Sequence, residues 1–418
     1  MSPPGRPKGE NRSAQHEGTP VNIPGSRGIP RGIWVLGLVS LCMDLSSELV
    51  HALLPLYMAG ALGASMLTIG IVEGIAEATA LIVKVFSGVL SDVFRRRKPL
   101  VLLGYGLAAV TKVVFPLAPT LSWIVGARFV DRVGKGIRGA PRDALIADLA
   151  PPGLRGASFG LRQALDTVGG VGGPLLALAA MAVFAGSFEA AFWVAVVPAG
   201  LAVLLLVVGV REPERPAAAG APRPRIAWRD VRRLPRAYWI VVGIAALLTL
   251  ARFSEAFLVL RARDLGLSIG EAPWVMVVMS AVYAIVSYPA GRAFDRGHGM
   301  RLFTVGLGAL VAADLALGLA PSPPLLFVGA ALWGLHMGLT QGLLAALVAT
   351  HAPPDLRGSA FGAFNLACGV ALLLASALAG GLWDAFGARS TFLVGAGITV
   401  VAWFALGGQR LHALDRPH

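Results

Sequence analysis

The chain has 418 residues, of which 56% are hydrophobic and 14% charged, and its mean hydropathy is +0.71. A soluble domain carries about 25% charged and about 45–50% apolar residues, so this composition excludes soluble, disordered, collagen-like and disulfide-rich chains. The net charge of +13 sits between apolar runs rather than on one face, which excludes a nucleic-acid surface as its source and follows the positive-inside pattern of membrane proteins.

Residues 1–31 are rich in Pro, Gly, Arg and Ser and lack the apolar core of a signal peptide. They read as a disordered cytoplasmic tail, where the Asn11-Arg12-Ser13 sequon carries no meaning. Twelve helical runs follow, at 32–58, 68–91, 98–118, 121–143, 157–183, 189–210, 238–261, 272–294, 300–320, 324–349, 357–382 and 388–408. At about 20 apolar residues per crossing, they predict an all-α polytopic membrane protein with 12 transmembrane helices. Residues 211–237, with Pro213, Pro216, Pro222, Pro224 and Arg223, Arg225, Arg229, Arg232, Arg233 and Arg236, form a basic, proline-rich linker. It separates an N-terminal six-helix bundle (32–210) from a C-terminal one (238–408), and 409–418 form a second cytoplasmic tail.

Loop charges orient the chain. Arg95-Arg96-Arg97-Lys98, Arg155, Arg296, Arg301, Arg357 and the linker all fall on one side, which places both termini in the cytoplasm of a cell with a plasma (bacterial inner) membrane. The halves also repeat. Ala150-Pro151-Pro152-Gly153-Leu154-Arg155-Gly156 returns 202 residues later as Ala352-Pro353-Pro354-Asp355-Leu356-Arg357-Gly358, and Phe159-Gly160 returns as Phe361-Gly362. Gly88 and Asp92 return as Gly291 and Asp295. Six is even, so the two bundles form a parallel repeat around a central cavity.

On these residues the chain resembles the major facilitator superfamily over residues 32–408. Gly88-Val-Leu-Ser-Asp92-Val-Phe-Arg95-Arg96-Arg97-Lys98 is similar to the family's signature between helices 2 and 3, with Gly291 and Asp295 as a degraded second copy. The resemblance implies a gating role for this set, in a charge network that holds one state and breaks on opening. Arg128 with Ala147-Asp148 resembles the helix 4 signature, although Asp131 and Arg132 replace the usual Gln and Gly. Gly160, Gly169 and Gly173-Pro174 resemble part of the helix 5 signature of drug/proton antiporters; the glycine pair that usually follows is Ala177-Leu178 here. Asp44-Leu-Ser-Ser-Glu48 and the run Asp131–Asp143 resemble a subgroup whose substrates are largely undefined.

Ionisable residues at membrane depth are costly, about 2.5–3.5 kcal/mol each on insertion scales, and persist where they face one another or a water-filled cavity. Asp44 and Glu48 on helix 1, with His51 beyond them, Arg128, Asp131 and Arg132 on helix 4, Arg252 and Glu255 on helix 7, and His336 and Gln341 on helix 10 all fall near mid-depth. In the resembled family these four helices line the cavity. Asp44, Glu48, Asp131 and Glu77 are the expected proton-coupling groups, since a carboxyl in a low-dielectric cavity binds and releases protons near neutral pH. Arg128, Arg132, Arg252, Glu255, His336, Gln341 and Asn365 are the expected substrate contacts. Bland readings stand beside these. Arg128–Asp131 and Arg252–Glu255 have i,i+3 spacing and neutralise each other if they pair. His336 is equally well a satisfied histidine. Glu73, Glu77 and Lys84 share one helix face and suit an interhelix network. Lys135, Arg138 and Arg142 read either as a cationic stripe for an anionic substrate or as the basic bias at a helix end. Arg162 and Asp166, at i,i+4, suit a local pair. Gly160, Gly169, Gly173 and Pro174 are expected at close helix contacts.

Cys42 and Cys368 lie in apolar runs and build neither a disulfide nor a metal site. No phosphate-binding loop is present, because Gly134-Lys135-Gly136 lacks the earlier Gly and the Ser/Thr. The expectation is therefore a monomeric, cofactor-free secondary transporter without enzymatic activity, exchanging protons for a small organic molecule in an efflux direction. Proton-driven import of an organic anion and a non-transporting membrane receptor of the same fold are the alternatives.

Overall fold

The structure is a computed structural model, and it describes residues 28–94, 96–151, 153–212, 231–353 and 356–408. Most of the expected tails and linker (1–27, 213–230 and 409–418) lies outside the described residues. Among the described residues the only regular elements are helices. The first half of the chain forms α1 (Arg31–Gly60), α2 (Met66–Phe94), α3 (Lys98–Leu117), α4 (Leu121–Leu149), α5 (Arg155–Val183) and α6 (Phe188–Gly209). The second half forms α7 (Arg236–Ala251), α8 (Ala256–Asp264), α9 (Trp274–Ala293), α10 (Gly299–Leu319), α11 (Pro323–His351), α12 (Arg357–Phe386) and α13 (Ala388–Gly408), with a π-helical turn at Phe294–His298. Nine stretches of the described residues are long and apolar enough to cross a membrane, and the chain is a multi-pass membrane protein. The charged helix α4 is not among them, and its Arg128, Asp131, Arg132 and Arg138 are buried between other helices.

Local sequence sets several ends. Proline opens α3 and α11, where its missing N–H has no helical partner to lose. Ser187 caps α6 by accepting from the Ala190 N–H at 3.3 Å. The expected seventh helix is not continuous: it breaks at residues 252–255 into α7 and α8. The Ser254 hydroxyl accepts from the Ala256 N–H at 3.3 Å, and the Ser254 N–H donates to the Ser376 hydroxyl of α12 at 3.2 Å. Those bonds satisfy backbone groups that the break releases.

Within the first half α1 packs on α5 and α6, α3 on α4 and α6, and α2 on α4; within the second, α10 packs on α11 and α13, α9 on α11, and α7 on α12 and α13. The halves meet through α2 with α12, α5 with α9, and α1 with α8. Small residues make these approaches possible, because lipid offers no hydrophobic drive between helices and contact must come from close packing. A Cβ on Gly380 would stand 2.2 Å from the Met66 carbonyl oxygen, and one on Gly70 2.1 Å from that of Ser376. Asp384 completes this joint by accepting the Met66 and Leu67 N–H groups at 3.0 and 2.8 Å, where a carboxylate also suits the positive end of α2.

Two ends of the molecule can be distinguished. The basic end carries Arg31, Arg97, Lys98, Arg155 and Arg236. At the opposite, far end one apolar core joins both halves through Leu53, Leu54, Phe257, Leu258, Met276, Trp333 and Phe392.

The helix 5 set divides. A Cβ on Gly169 would lie 2.8 Å from the Leu41 carbonyl oxygen, and one on Gly173 2.4 Å from the Glu48 Cβ, while Pro174 is buried. Gly160 is exposed with open space around it, so the expectation of close packing there is corrected: nine residues before Gly169, it lies on the opposite face of α5 from α1. Gly173→Val is expected to lower the melting temperature of the purified protein, with overpacking costing about 1–3 kcal/mol, while Gly160→Ala stays within about 0.5 kcal/mol of wild type. Equal melting of the two variants would contradict this packing.

Candidate functional site

Helix α4 sends its charges to different neighbours. Arg128 Nη2 donates to Glu73 Oε2 of α2 at 2.6 Å and to His51 Nδ1 of α1 at 2.8 Å. Since arginine only donates, Nδ1 accepts, and the neutral ring carries its proton on Nε2. That nitrogen lies 3.8 Å from Glu255 Oε2 at the α7–α8 break. A buried polar chain thus runs from α4 through α1 and α2 to the second half of the molecule. Asp131 turns to α3, where Lys112 Nζ stands at 2.8 Å and Thr111 Oγ1 at 3.5 Å. Arg132 pairs with Glu77 at 3.3 Å.

The alternative of mutual Arg128–Asp131 neutralisation is therefore not realised, because each residue is closed by a partner on another helix. Arg128 and Asp131 are 1% and 2% exposed, which leaves no open face for solute. The alternative of an Arg252–Glu255 pair is not realised at ion-pair distance: both residues lie in the break between α7 and α8, and the Arg252 side chain makes no hydrogen bond or ion pair among the described residues. Glu73 and Glu77 do join an interhelix network.

Between the halves lies a cavity of about 470 Å³. It runs from Glu48, Glu77 and Glu255 at mid-level to Arg142, Arg162 and Gln163 towards the basic end, and the apolar core seals it on the far side. Asp44 and Glu48 face it from α1 without a hydrogen bond or ion pair among the described residues. Lys84, Lys135 and Arg138 face it from α2 and α4 in the same condition. Arg162 is tied to Asp166, the expected local pair, and to Asp143 at 3.2 Å; Arg142 holds Asp143 at 3.3 Å and Ser40 Oγ at 3.0 Å.

A smaller chamber of about 220 Å³ adjoins it, lined by Glu48, His51, Arg132, Arg252, Glu255 and Gln341. A third cavity of about 420 Å³ is lined by Lys84, Arg252, His336, Gln341 and Asn365. His336 is satisfied in part, with Nδ1 bonded to the Gly306 carbonyl at 2.8 Å. Gln341 Oε1 accepts from the Tyr283 hydroxyl at 3.3 Å.

At the basic end Arg97 pairs with Asp148 at 2.9 Å and donates its backbone N–H to the Glu212 carboxylate. Lys98 Nζ binds the Val207 and Val210 carbonyls at 3.0 and 2.6 Å, which ties the turn between α2 and α3 to the end of α6. Gly88 faces Ala140 of α4, with 3.4 Å to a built Cβ, and Arg96 is exposed. Gly291 has open space around it, and Asp295 lies in the π turn beside another cavity. Arg95 and the Asp92 side chain lie outside the described residues. Lys112 is the site residue that sequence reasoning missed; its signal was a single charged residue within the apolar run at 99–118.

A helical membrane protein with two chain halves around a charged cavity has the form of a solute transporter. Residues 36–260 and 254–410 each match the Major Facilitator Superfamily, and the chain belongs to that superfamily. It is 30% identical over 404 residues to an uncharacterised transporter of this type from Methanocaldococcus jannaschii, covering 94% of this chain and 99% of the relative. It is 25% identical to a multidrug resistance protein, MdtL, of Escherichia fergusonii, covering 85% and 87%. Among solved structures it superposes on a bacterial homologue of the human lysosomal transporter Spinster, inward-facing and unoccupied. The TM-score is 0.72 at 17% identity, with 92% of this chain and 98% of that one covered.

Removing one partner of a buried ion pair strands the other charge and costs about 3–5 kcal/mol. Glu73→Gln is thus expected to lower the melting temperature sharply by stranding Arg128, while Asp44→Asn melts close to wild type. Thermal unfolding of the purified variants checks this, and a wild-type melting curve for Glu73→Gln would contradict the buried network.

Proposed function

We propose that the chain is a proton-coupled secondary transporter that exports a small organic molecule by alternating access. Its twelve membrane-crossing segments form two six-helix halves that rock about the cavity, in a monomer whose termini and basic end face the cytoplasm of a bacterial inner membrane. The main cavity carries this reading. It is sealed at the far end and reaches towards the basic end, and its open charges, Asp44 and Glu48, lie on α1, which packs on α8 of the other half. A proton taken up by either carboxylate removes a charge from the interface on which the halves would move. Arg132, Arg252, Glu255, Gln341 and Asn365 surround the solute path, and Glu77 acts through its hold on Arg132.

Export is supported by the partial helix 5 signature and by the multidrug resistance protein among the relatives. A second reading, proton-linked import of an organic anion, is supported by the three unpaired cations, Lys84, Lys135 and Arg138. A receptor of the same fold would bind solute and move none.

The test is accumulation of a fluorescent lipophilic cation and of a fluorescent organic anion in pump-deficient cells, with and without a proton uncoupler. The expected result is lowered accumulation of one of the two, restored by the uncoupler and by Asp44→Asn or Glu48→Gln. Accumulation unchanged for both in well-expressing cells would contradict export, and an uncoupler-sensitive rise would establish the import reading.

A further inference from the structure

The geometry also speaks to the chemical class of the solute, an inference that rests on the transport reading only for its use of the same cavity. We infer that the cavity binds an amphipathic organic anion. Its acidic group is held by Lys84, Lys135 and Arg138 of the first half, and its apolar body lies against Met276, Met279 and Met337 of the second.

The argument begins with which charges are already spent. Five cationic side chains line the cavity, and two of them, Arg142 and Arg162, are fixed by Asp143 and Asp166. The other three have no ion pair or hydrogen bond among the described residues. Arg138 is 4% exposed, and its Nη1 is buried without a hydrogen-bond partner. Its guanidinium lies over the Tyr105 ring, 4.6 Å from the centroid. That contact steadies the plane through the ring face while leaving N–H donors free at its edge. Lys135 stands one turn along the same face of α4. Lys84 comes across from α2 with its stem over Gly139, where a built Cβ would lie 3.6 Å from Cε. Three donors from two packed helices therefore share one wall.

Asp44, Glu48, Glu77 and Glu255 face the same volume, and none of them forms an ion pair with these three cations among the described residues; Glu77 is held by Arg132 instead. A carboxylate loses its charge by taking a proton, whereas arginine keeps its charge at every accessible pH. The charge of Arg138 is thus the permanent feature of the wall, and a buried guanidinium left with an unpartnered nitrogen calls for an anionic partner. The opposite wall selects the rest of the ligand. Met276 and Met279 of α9 and Met337 of α11 present thioethers, whose flexibility and polarisability suit apolar groups of varied shape. The two walls belong to different halves, so one amphipathic ligand bridges the parts that would have to move.

The test uses the full chain in phosphatidylcholine nanodiscs. Equilibrium binding of radiolabelled octanesulfonate, octyltrimethylammonium, sulfate and the zwitterion 8-aminooctanoate is measured, with empty discs subtracted. Octanesulfonate is expected to bind at least about tenfold more tightly than each of the other three, the size of effect that a charge-assisted hydrogen bond supplies. Lys84→Gln with Lys135→Gln should lose about that factor, while Lys84→Arg with Lys135→Arg keeps it. Met279→Ala with Met337→Ala should weaken octanesulfonate without changing sulfate. Equal binding of the octyl cation, tighter binding of the zwitterion, or unchanged octanesulfonate binding in a monodisperse double-glutamine variant would each overturn the assignment. If the glutamine variant does not fold, the wild-type comparison of octyl anion, cation and zwitterion decides alone. The readout is binding without flux. A protein that binds octanesulfonate but moves nothing across sealed vesicles would therefore overturn the transport reading and leave this site standing, whereas uncoupler-sensitive flux without octanesulfonate binding would do the reverse.

Discussion

A charge enclosed by apolar helices must meet an opposite charge, a hydrogen-bond partner or water. That constraint divides the ionisable residues of this protein into two populations. Arg128 with Glu73 and His51, and Lys112 with Asp131, are closed within the first half. Asp44, Glu48, Lys84, Lys135 and Arg138 are open to a cavity between the halves. The closed population fixes how α1, α2, α3 and α4 stand against one another. The open population lines the cavity and is the one proposed to meet solute and protons. His51 touches both groups: Arg128 sets its tautomer, and its other nitrogen faces Glu255 across the junction of the halves.

Close backbone approach supplies the second condition. Gly380 and Gly70 let α2 and α12 meet at the far end, where Asp384 takes two backbone N–H groups of α2. Gly169 and Gly173 let α5 lie against α1 at the level of Asp44 and Glu48. The carboxylates proposed to bind protons thus sit on a helix pressed between its own half and α8 of the other. In the proposed cycle, loss of a charge on such a helix would change the balance between the packings available to it and so link a local protonation to a movement of halves.

Much of the fold was legible because its signal is local. Apolar runs gave helix positions to within a few residues, and a string as specific as Ala150–Gly156, returning at 352–358, betrays a duplicated unit. What was hidden depends on partners distant in sequence. The break at 252–255 contains neither Gly nor Pro, and it is held by Ser376, more than a hundred residues later. The i,i+3 spacing of Arg128 and Asp131 suggests a pair, yet three residues still leave them about 60° apart around the axis, and here one is aimed at α2 and the other at α3. Lys112, alone in an apolar run, shows its purpose only once α3 lies beside α4. Gly160 and Gly173 are the same residue on one helix, and they differ because thirteen residues put them on different faces, only one of which meets α1.

The division into closed and open charges is the central claim, and water access measures it most directly. In a chain with Cys42 and Cys368 replaced by Ala, single cysteines at Ser280, on the cavity wall, and at Thr111, beside Asp131, would be labelled in sealed vesicles of each orientation with a membrane-impermeant maleimide. The account predicts rapid labelling of Ser280→Cys from the side of the basic end and protection of Thr111→Cys from both sides. Labelling of Thr111→Cys, or protection of Ser280→Cys from both sides, would contradict it.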